Sequence, residues 1–190
     1  MVNERPRVRV AIVMGVAFIL LLAMLAPTFA SARADDKGIH ATGTVSTAVI
    51  YVADTGVFGG NTVLTRALVN TYSGALSGTA TGLQQRISNA LTSESVYIEE
   101  FTGTLAGSAI GTYASIITIT GDTSGCPCPP GTGTFHGTEV IVAGSGMDGL
   151  AGICGGGTFS GSGDPVHGFT TTYHDTFHFG ASCASNSQGD

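Results

Sequence analysis

Basic residues are scarce in this chain: seven Lys and Arg in 190 positions, four of them (Arg5, Arg7, Arg9 and Arg33) before position 34. Past Ala34 only Lys37, Arg66 and Arg86 remain, three bases against twelve acids, a formal charge of −9. That balance leaves no electrostatic footprint for nucleic acid or an anionic lipid surface. Helical periodicity is also missing. No stretch beyond the first 34 residues keeps apolar positions at a 3.6-residue spacing, although 84–91 could hold a helical turn. The glycine runs contain no phosphate-loop string and no following helix, which excludes a nucleotide site of that kind. Gly144-Ser145-Gly146 resembles a nucleophile elbow only superficially, because the G-x-S-x-G string and its strand–turn–helix setting are absent.

What is present begins with an export signal. Arg5, Arg7 and Arg9 precede an almost unbroken apolar run from 10 to 26, Pro27 ends it, and Ala32-Arg33-Ala34 offers a small-x-small cleavage site before Asp35. This is the grammar of a secretory signal peptide, expected to span 1–34 and to be cleaved. An uncleaved anchor is the alternative, disfavoured because the run is shorter than the ~20 residues that span a bilayer. No cysteine follows closely enough for lipid attachment. The expected location is therefore secreted or extracytoplasmic, with no membrane contact after cleavage. The remaining roughly 155 residues suit one domain with its own core: a flexible segment over 35–42, the domain over 43–180, and a flexible tail over 181–190.

All four cysteines, Cys126, Cys128, Cys154 and Cys183, lie in the second half. An even count in an exported chain favours disulfides. Cys126 and Cys128 are too close to pair comfortably with each other. The expected cross-links therefore join the 126/128 loop to Cys154 and to Cys183; for Cys154 the alternative partner is Cys183. A Cys-Pro-Cys metal site would lack a second ligand pair at zinc-like spacing.

Twenty-nine glycines punctuate segments in which strand-forming residues alternate with polar ones. Eight strands are predicted: 43–52, 62–72, 76–87, 95–105, 108–120, 133–143, 149–160 and 168–179. A closed barrel or a two-sheet sandwich accommodates such a series. Closure is favoured, since a chain with so few charges could not protect exposed edges. The Gly-Ser-Gly-Met-Asp-Gly run at 144–149 is expected to form the hairpin turn between the sixth and seventh strands.

Three segments carry a resemblance: LTRALVNTYSGALSG (64–78), EEFTGTLAG (99–107) and GTEVIVAGSGMDGLAG (137–152). Together they resemble the bacterial DUF3224 proteins, which look like relatives of the allene oxide cyclase and dirigent barrels. The resemblance covers about 43–179 and implies an all-β fold: a single eight-stranded antiparallel β-barrel, here preceded by a signal peptide. The chain departs from the family pattern in lacking tryptophan and in carrying the leader and the Cys-rich loop. The family implies a fold and not an activity.

In a barrel, alternate residues of each strand face the lumen. On 95–105 the odd positions are Tyr97, Glu99, Phe101, Gly103 and Leu105, so Glu99 is expected indoors with a raised pKa. Arg66 shares a strand face with Leu64, Leu68 and Tyr72 and is the candidate partner for Glu99. Glu99, Arg66, Tyr97 and Tyr72 are thus the candidate ligand-binding residues; a structural ion pair or two solvent-facing charges are the simpler alternatives. On the last strand Phe169, Thr171, Tyr173, Asp175, Phe177 and Phe179 share one face, which puts Asp175 indoors or at a rim. His174 and His178 share the other, ~13 Å apart at about 3.3 Å per residue. They cannot bind one metal unless His136 or His167 approaches one of them, and no metal or cofactor is expected.

Three functions fit these features: an exported barrel that binds a small apolar ligand or serves as an interaction module; a cyclase or isomerase acting on an apolar reactive substrate in the lumen; and a structural, self-associating protein with a filled barrel. A homo-oligomer is compatible with each. A cavity of several hundred Å³ containing Glu99 and Arg66 would support the first two, and a barrel filled by Ile, Leu, Phe and Tyr side chains the third.

Overall fold

The alternation written into the sequence closes on itself. A computed structural model describes residues 38–122, 133–164, 168–180 and Cys183. The leader 1–34, Cys126, Cys128, His167 and the tail other than Cys183 lie outside the described residues. The elements are β1 (Ile39–Phe58), β2 (Asn61–Gly74), β3 (Leu76–Ser88), β4 (Thr92–Leu105), β5 (Gly111–Asp122), β6 (Gly133–Ile141), the two-residue β7 (Met147–Asp148), β8 (Ile153–Asp164) and β9 (Gly168–Phe179). All pairings are antiparallel, and β9 returns to β1 while β4 pairs β5, so the eight long strands form a closed barrel. Closure pairs both edges of the sheet over Ile39–Thr47 of β1 and Phe169–Phe177 of β9.

The period-two pattern decides which side each residue takes. Along β4 the positions alternate, with Tyr97, Glu99, Phe101, Gly103 and Leu105 buried and Val96, Ile98, Glu100 and Thr102 exposed. Several outward residues are apolar as well, among them Leu83, Val96 and Ile98. The first strand starts at Ile39 rather than at 43, because Ile39–Thr42 already pair with β9. Its far half, beyond the register shift between Val49 and Tyr51, pairs only with β2, and a turn at Gly59 and Gly60 ends the hairpin. Both glycines have positive φ, as that turn needs.

One end of the barrel is filled. Phe101 stacks on Tyr113 at 4.9 Å between ring centroids, Tyr72 meets Phe101 edge-on at 5.3 Å, and Leu76, Leu105, Ile153 and Phe177 complete the cluster. The segment 142–152 lies at this end and joins the antiparallel β6 and β8, so 144–149 falls in the connection between the sixth and seventh long strands, as expected. The connection is longer than a tight turn: β7 pairs onto Gly111 and Thr112 of β5, and Leu150 is driven into the core with no exposed surface. Ser145 ties the segment down, accepting from Ala114 N–H and donating to the Val142 carbonyl.

Tyr173 shows why glycine is needed at one close approach. The Leu76 N–H donates to its hydroxyl at 2.7 Å. The phenol reaches that far only by lying over Gly43, where a Cβ would sit 2.4 Å from Tyr173 Oη and 2.1 Å from the Ser73 carbonyl.

Cys154 and Cys183 are joined in a disulfide with Cα atoms 5.6 Å apart. This corrects the expectation that each would reach the 126/128 loop. Antiparallel register puts Cys154 opposite His178, and the turn at Gly180, whose N–H donates to the Gly152 carbonyl, brings Cys183 back beside the start of β8.

Candidate functional site

The polar residues of the lumen separate into two groups. The first surrounds Glu99, which β4 carries inward and leaves 1% exposed. The Tyr72 hydroxyl donates to Oε1 at 2.5 Å, Asn70 Nδ2 to Oε2 at 2.7 Å, and the Tyr97 hydroxyl to Oε2. Ser115, opposite Glu99 on β5, contributes a long 3.5 Å contact to Oε1. Asn70 also donates to the Tyr97 oxygen and accepts from Thr47 at 2.6 Å, so its amide is fixed from both ends.

Burial pushes the Glu99 carboxyl above its ordinary range, and the four donors oppose the shift. Glu139 and Asp175 are buried within electrostatic reach. Desolvation first, then the charge of Glu99, raises both, Asp175 to about 7 and Glu139 well above its usual value. Glu139 Oε1 and both Asp175 oxygens have no hydrogen-bond partner. Donors therefore converge on Glu99, where they oppose the upward shift, while Glu139 has an oxygen without a donor and is pushed up by burial and by the neighbouring acids. Burial also holds Tyr72 and Tyr97 well above their ordinary pKa, so both remain neutral donors.

The second group lies at the other end. Arg66, 2% exposed, projects from β2 with its guanidinium carbon 5.5 Å from the centre of the Phe169 ring. Arg86 on β3 is also buried. Arg66 Nε and Nη1 and Arg86 Nε make no hydrogen bond. Desolvation, then the charge of Arg86, lowers the Arg66 pKa to about 10, and burial lowers that of Arg86.

Of the four residues singled out in the sequence, the fold brings Glu99, Tyr72 and Tyr97 together and leaves Arg66 apart. The expected Glu99–Arg66 pair is corrected by register. Leu68 lies opposite Gly82 and Gly82 opposite Glu99, so Leu68 is in line with the carboxylate, while Arg66 is in line with Gln84 and Tyr97. Asn70, Ser115, Glu139 and Arg86 belong to the lumen, and the sequence reading does not single them out. Strand parity could have found Asn70, two positions from both Leu68 and Tyr72, and Arg86, two positions from Gln84.

Between the groups lies a cavity of about 80 Å³. Its walls include Val45, Leu68, Ile117 and Phe159, Glu139 and Asn70 reach it from one side, and Arg66 and Arg86 from the other. Glu99 is screened from it by Tyr72 and Tyr97, which line it. Among the described residues no three His, Cys, Asp or Glu side chains gather as a metal site.

No family model matches the chain, and no curated protein matches it. Among solved structures it is similar to a DUF3224 family protein of unknown function from Shewanella oneidensis MR-1. The two are 21% identical with a TM-score of 0.53, over 76% of this chain and 98% of that one. The likeness is one of fold, and it agrees with the resemblance carried by 64–78, 99–107 and 137–152.

Proposed function

We propose that the chain is an exported barrel that binds a small, largely apolar molecule in its lumen. The observation that carries the proposal is the unfilled cavity of about 80 Å³ with Leu68, Ile117 and Phe159 on its walls and polar groups at its ends. Ligand sites are commonly apolar hollows with a few placed polar atoms, and barrels often keep them inside. The space would hold roughly five to eight waters, at about 10–15 Å³ each. The Cys154–Cys183 bond supports an oxidising compartment, in line with the leader.

Native mass spectrometry of the protein recovered from outside the cytoplasm tests both parts. A chain starting at Asp35 with a co-purified small molecule is the expected result. Leu68→Trp, which fills the cavity, should abolish the adduct. A retained leader would overturn export. A bare wild-type mass, together with no thermal shift from a panel of small molecules, would overturn binding and favour the filled, self-associating barrel.

An isomerase or cyclase acting on an apolar reactive substrate is the second function, favoured by one feature. Glu139 borders the cavity with an unpartnered oxygen and a carboxyl pushed up by burial, the state a proton donor needs. Turnover lost in Glu139→Gln with ligand binding retained would support it, and turnover unchanged in that variant would overturn it.

A further inference from the structure

Among the described residues Arg66 and Arg86 are buried cations with nitrogens left without an acceptor. Arg66 and Arg86 come from adjacent strands, and their inward positions alternate, Arg66 opposite Gln84 and Arg86 opposite Leu64. Both are at least nine-tenths buried, and between them three N–H-bearing nitrogens have no acceptor. Burying guanidinium groups without partners is unfavourable, and placing two side by side adds repulsion. The buried acids do not relieve this. Glu99 has its oxygens occupied by Tyr72, Tyr97 and Asn70, and Glu139 Oε1 makes no hydrogen bond to either guanidinium. Phe169 fixes the Arg66 plane against one wall. Both arginines border the same cavity, whose wall near them carries no carboxylate among the described residues: it is made by Ile119, Ser93, Ser95 and the Gln84 amide, whose nitrogen donates to Ser95 and whose oxygen makes no hydrogen bond to either guanidinium.

We propose that Arg66 and Arg86 form an oxyanion site at one end of the lumen, taking the carboxylate or phosphate of a compact, ring-sized ligand whose apolar body lies against Leu68, Ile117 and Phe159. The site presupposes the lumen-binding function proposed above and adds the chemical class of its ligand. A guanidinium fork matches the two oxygens of a carboxylate or phosphate and keeps its charge at any working pH. An anion at this position would accept from the unpartnered nitrogens and cancel the repulsion between the two cations.

The test uses three probes that share one ring: benzoate, phenyl phosphate and the uncharged benzamide. Binding to the disulfide-intact protein is measured by calorimetry. At least one anion should bind about tenfold or more tightly than benzamide, the scale of one charge-assisted hydrogen bond. Which anion wins separates a carboxylate ligand from a phosphate one. Arg66→Met and Arg86→Met should each remove most of that preference, weakening the anions more than benzamide, whose carbonyl loses only a hydrogen bond to a charged donor and no ion pair. Should either variant fail to fold, the wild-type comparison of anion with benzamide decides alone. Benzamide binding as tightly as both anions would overturn the oxyanion site and leave the lumen function standing. Failure of all three probes would overturn the site, and a co-purified neutral molecule in the native mass spectrum would then show that the lumen function survives it.

Discussion

The Tyr72 hydroxyl and Glu99 Oε1 lie 2.5 Å apart, a bond made across the lumen from β2 to β4. It stabilises the ionised carboxyl, since a hydrogen bond to the charged form opposes the desolvation that raises Glu99. Tyr72→Phe should therefore cost about 1.5–3 kcal/mol at pH 8, the range for a hydrogen bond to a charged group. The loss should shrink as pH falls and Glu99 takes its proton. Urea unfolding of both proteins at pH 8 and pH 4 checks this; an equal loss at the two values would mean that the bond does not favour the ionised form.

Asp175 gives the opposite pH dependence. Burial, then the charge of Glu99, raises its pKa from an ordinary 3.8 to about 7. A carboxyl raised in the folded state contributes stability below its unfolded pKa and loses it as pH climbs through the folded one. Asp175 thus weighs against the fold progressively from about pH 4 to pH 7, by up to about 4 kcal/mol, because each pH unit between its unfolded and folded values costs about 1.4 kcal/mol. Asp175→Asn should melt higher than the wild type at pH 8 and gain little at pH 4. Thermal unfolding across that range reads the difference, and a gain independent of pH would exclude titration as its cause.

Glu99 and Asp175 are also coupled, which yields a separate measurement. Removing the Glu99 charge with Glu99→Gln should bring the Asp175 pKa down from about 7 toward its ordinary value, leaving burial as the remaining cause. Carbon-13 titration of the Asp175 carboxyl follows it directly. A pKa unchanged in the variant would mean that burial accounts for the whole rise.

Strand parity makes much of this lumen legible. Tyr97, Glu99 and Phe101 share a face because strand residues two apart must, and Asp175 follows Tyr173 indoors for the same reason. Parity does not give height along the barrel. On parity alone Arg66 is matched to Glu99, since both face inward, yet the register set at the β2–β3 and β3–β4 hairpins aligns Leu68 with Glu99 instead. The disulfide is open in the sequence for a similar reason. Counting cysteines allows several pairings, and only the return of β9 alongside β8 brings Cys183 to Cys154. The run at 144–149 reads as a turn because glycines mark turns; its pairing with β5 depends on contacts more than thirty residues away in sequence.

Gly43 is a position where the backbone leaves no room for a side chain. A methyl group there would fall 2.1 Å from the Ser73 carbonyl oxygen and 2.4 Å from Tyr173 Oη, so both the β1–β2 pairing and the phenol would have to shift. Gly43→Ala should destabilise by about 1–3 kcal/mol, the usual range for overpacking a tight interior. Gly43→Ala combined with Tyr173→Phe should recover part of that loss, because the phenolic oxygen is one of three close contacts, with the Ser73 carbonyl and the ring edge at Tyr173 Cε1. A double-mutant cycle by chemical denaturation measures the recovery, and strict additivity would place the strain on the Ser73 carbonyl and the ring edge, both of which the phenylalanine variant keeps.

The Cys154–Cys183 bond has a sequence separation of 29 and encloses β9 and all of β8 but its first residue. Opening it releases a loop whose closure entropy is worth about 3–4 kcal/mol in the unfolded chain. β9 is the strand that seals the barrel against β1, so its pairing depends on that bond more than an internal strand's would. Cys154→Ser together with Cys183→Ser should lower stability by about 2–4 kcal/mol and the melting temperature by several degrees. The loosening should start at the seam. Amides of Ala41 and Tyr173 at the β1–β9 pairing should exchange faster, whereas Glu100 and Ala114, on the far side between β4 and β5, should change less. Hydrogen exchange on the two proteins checks both points. Uniformly faster exchange would show that the bond acts on global stability alone, and unchanged exchange would show that strand pairing holds the seam without it.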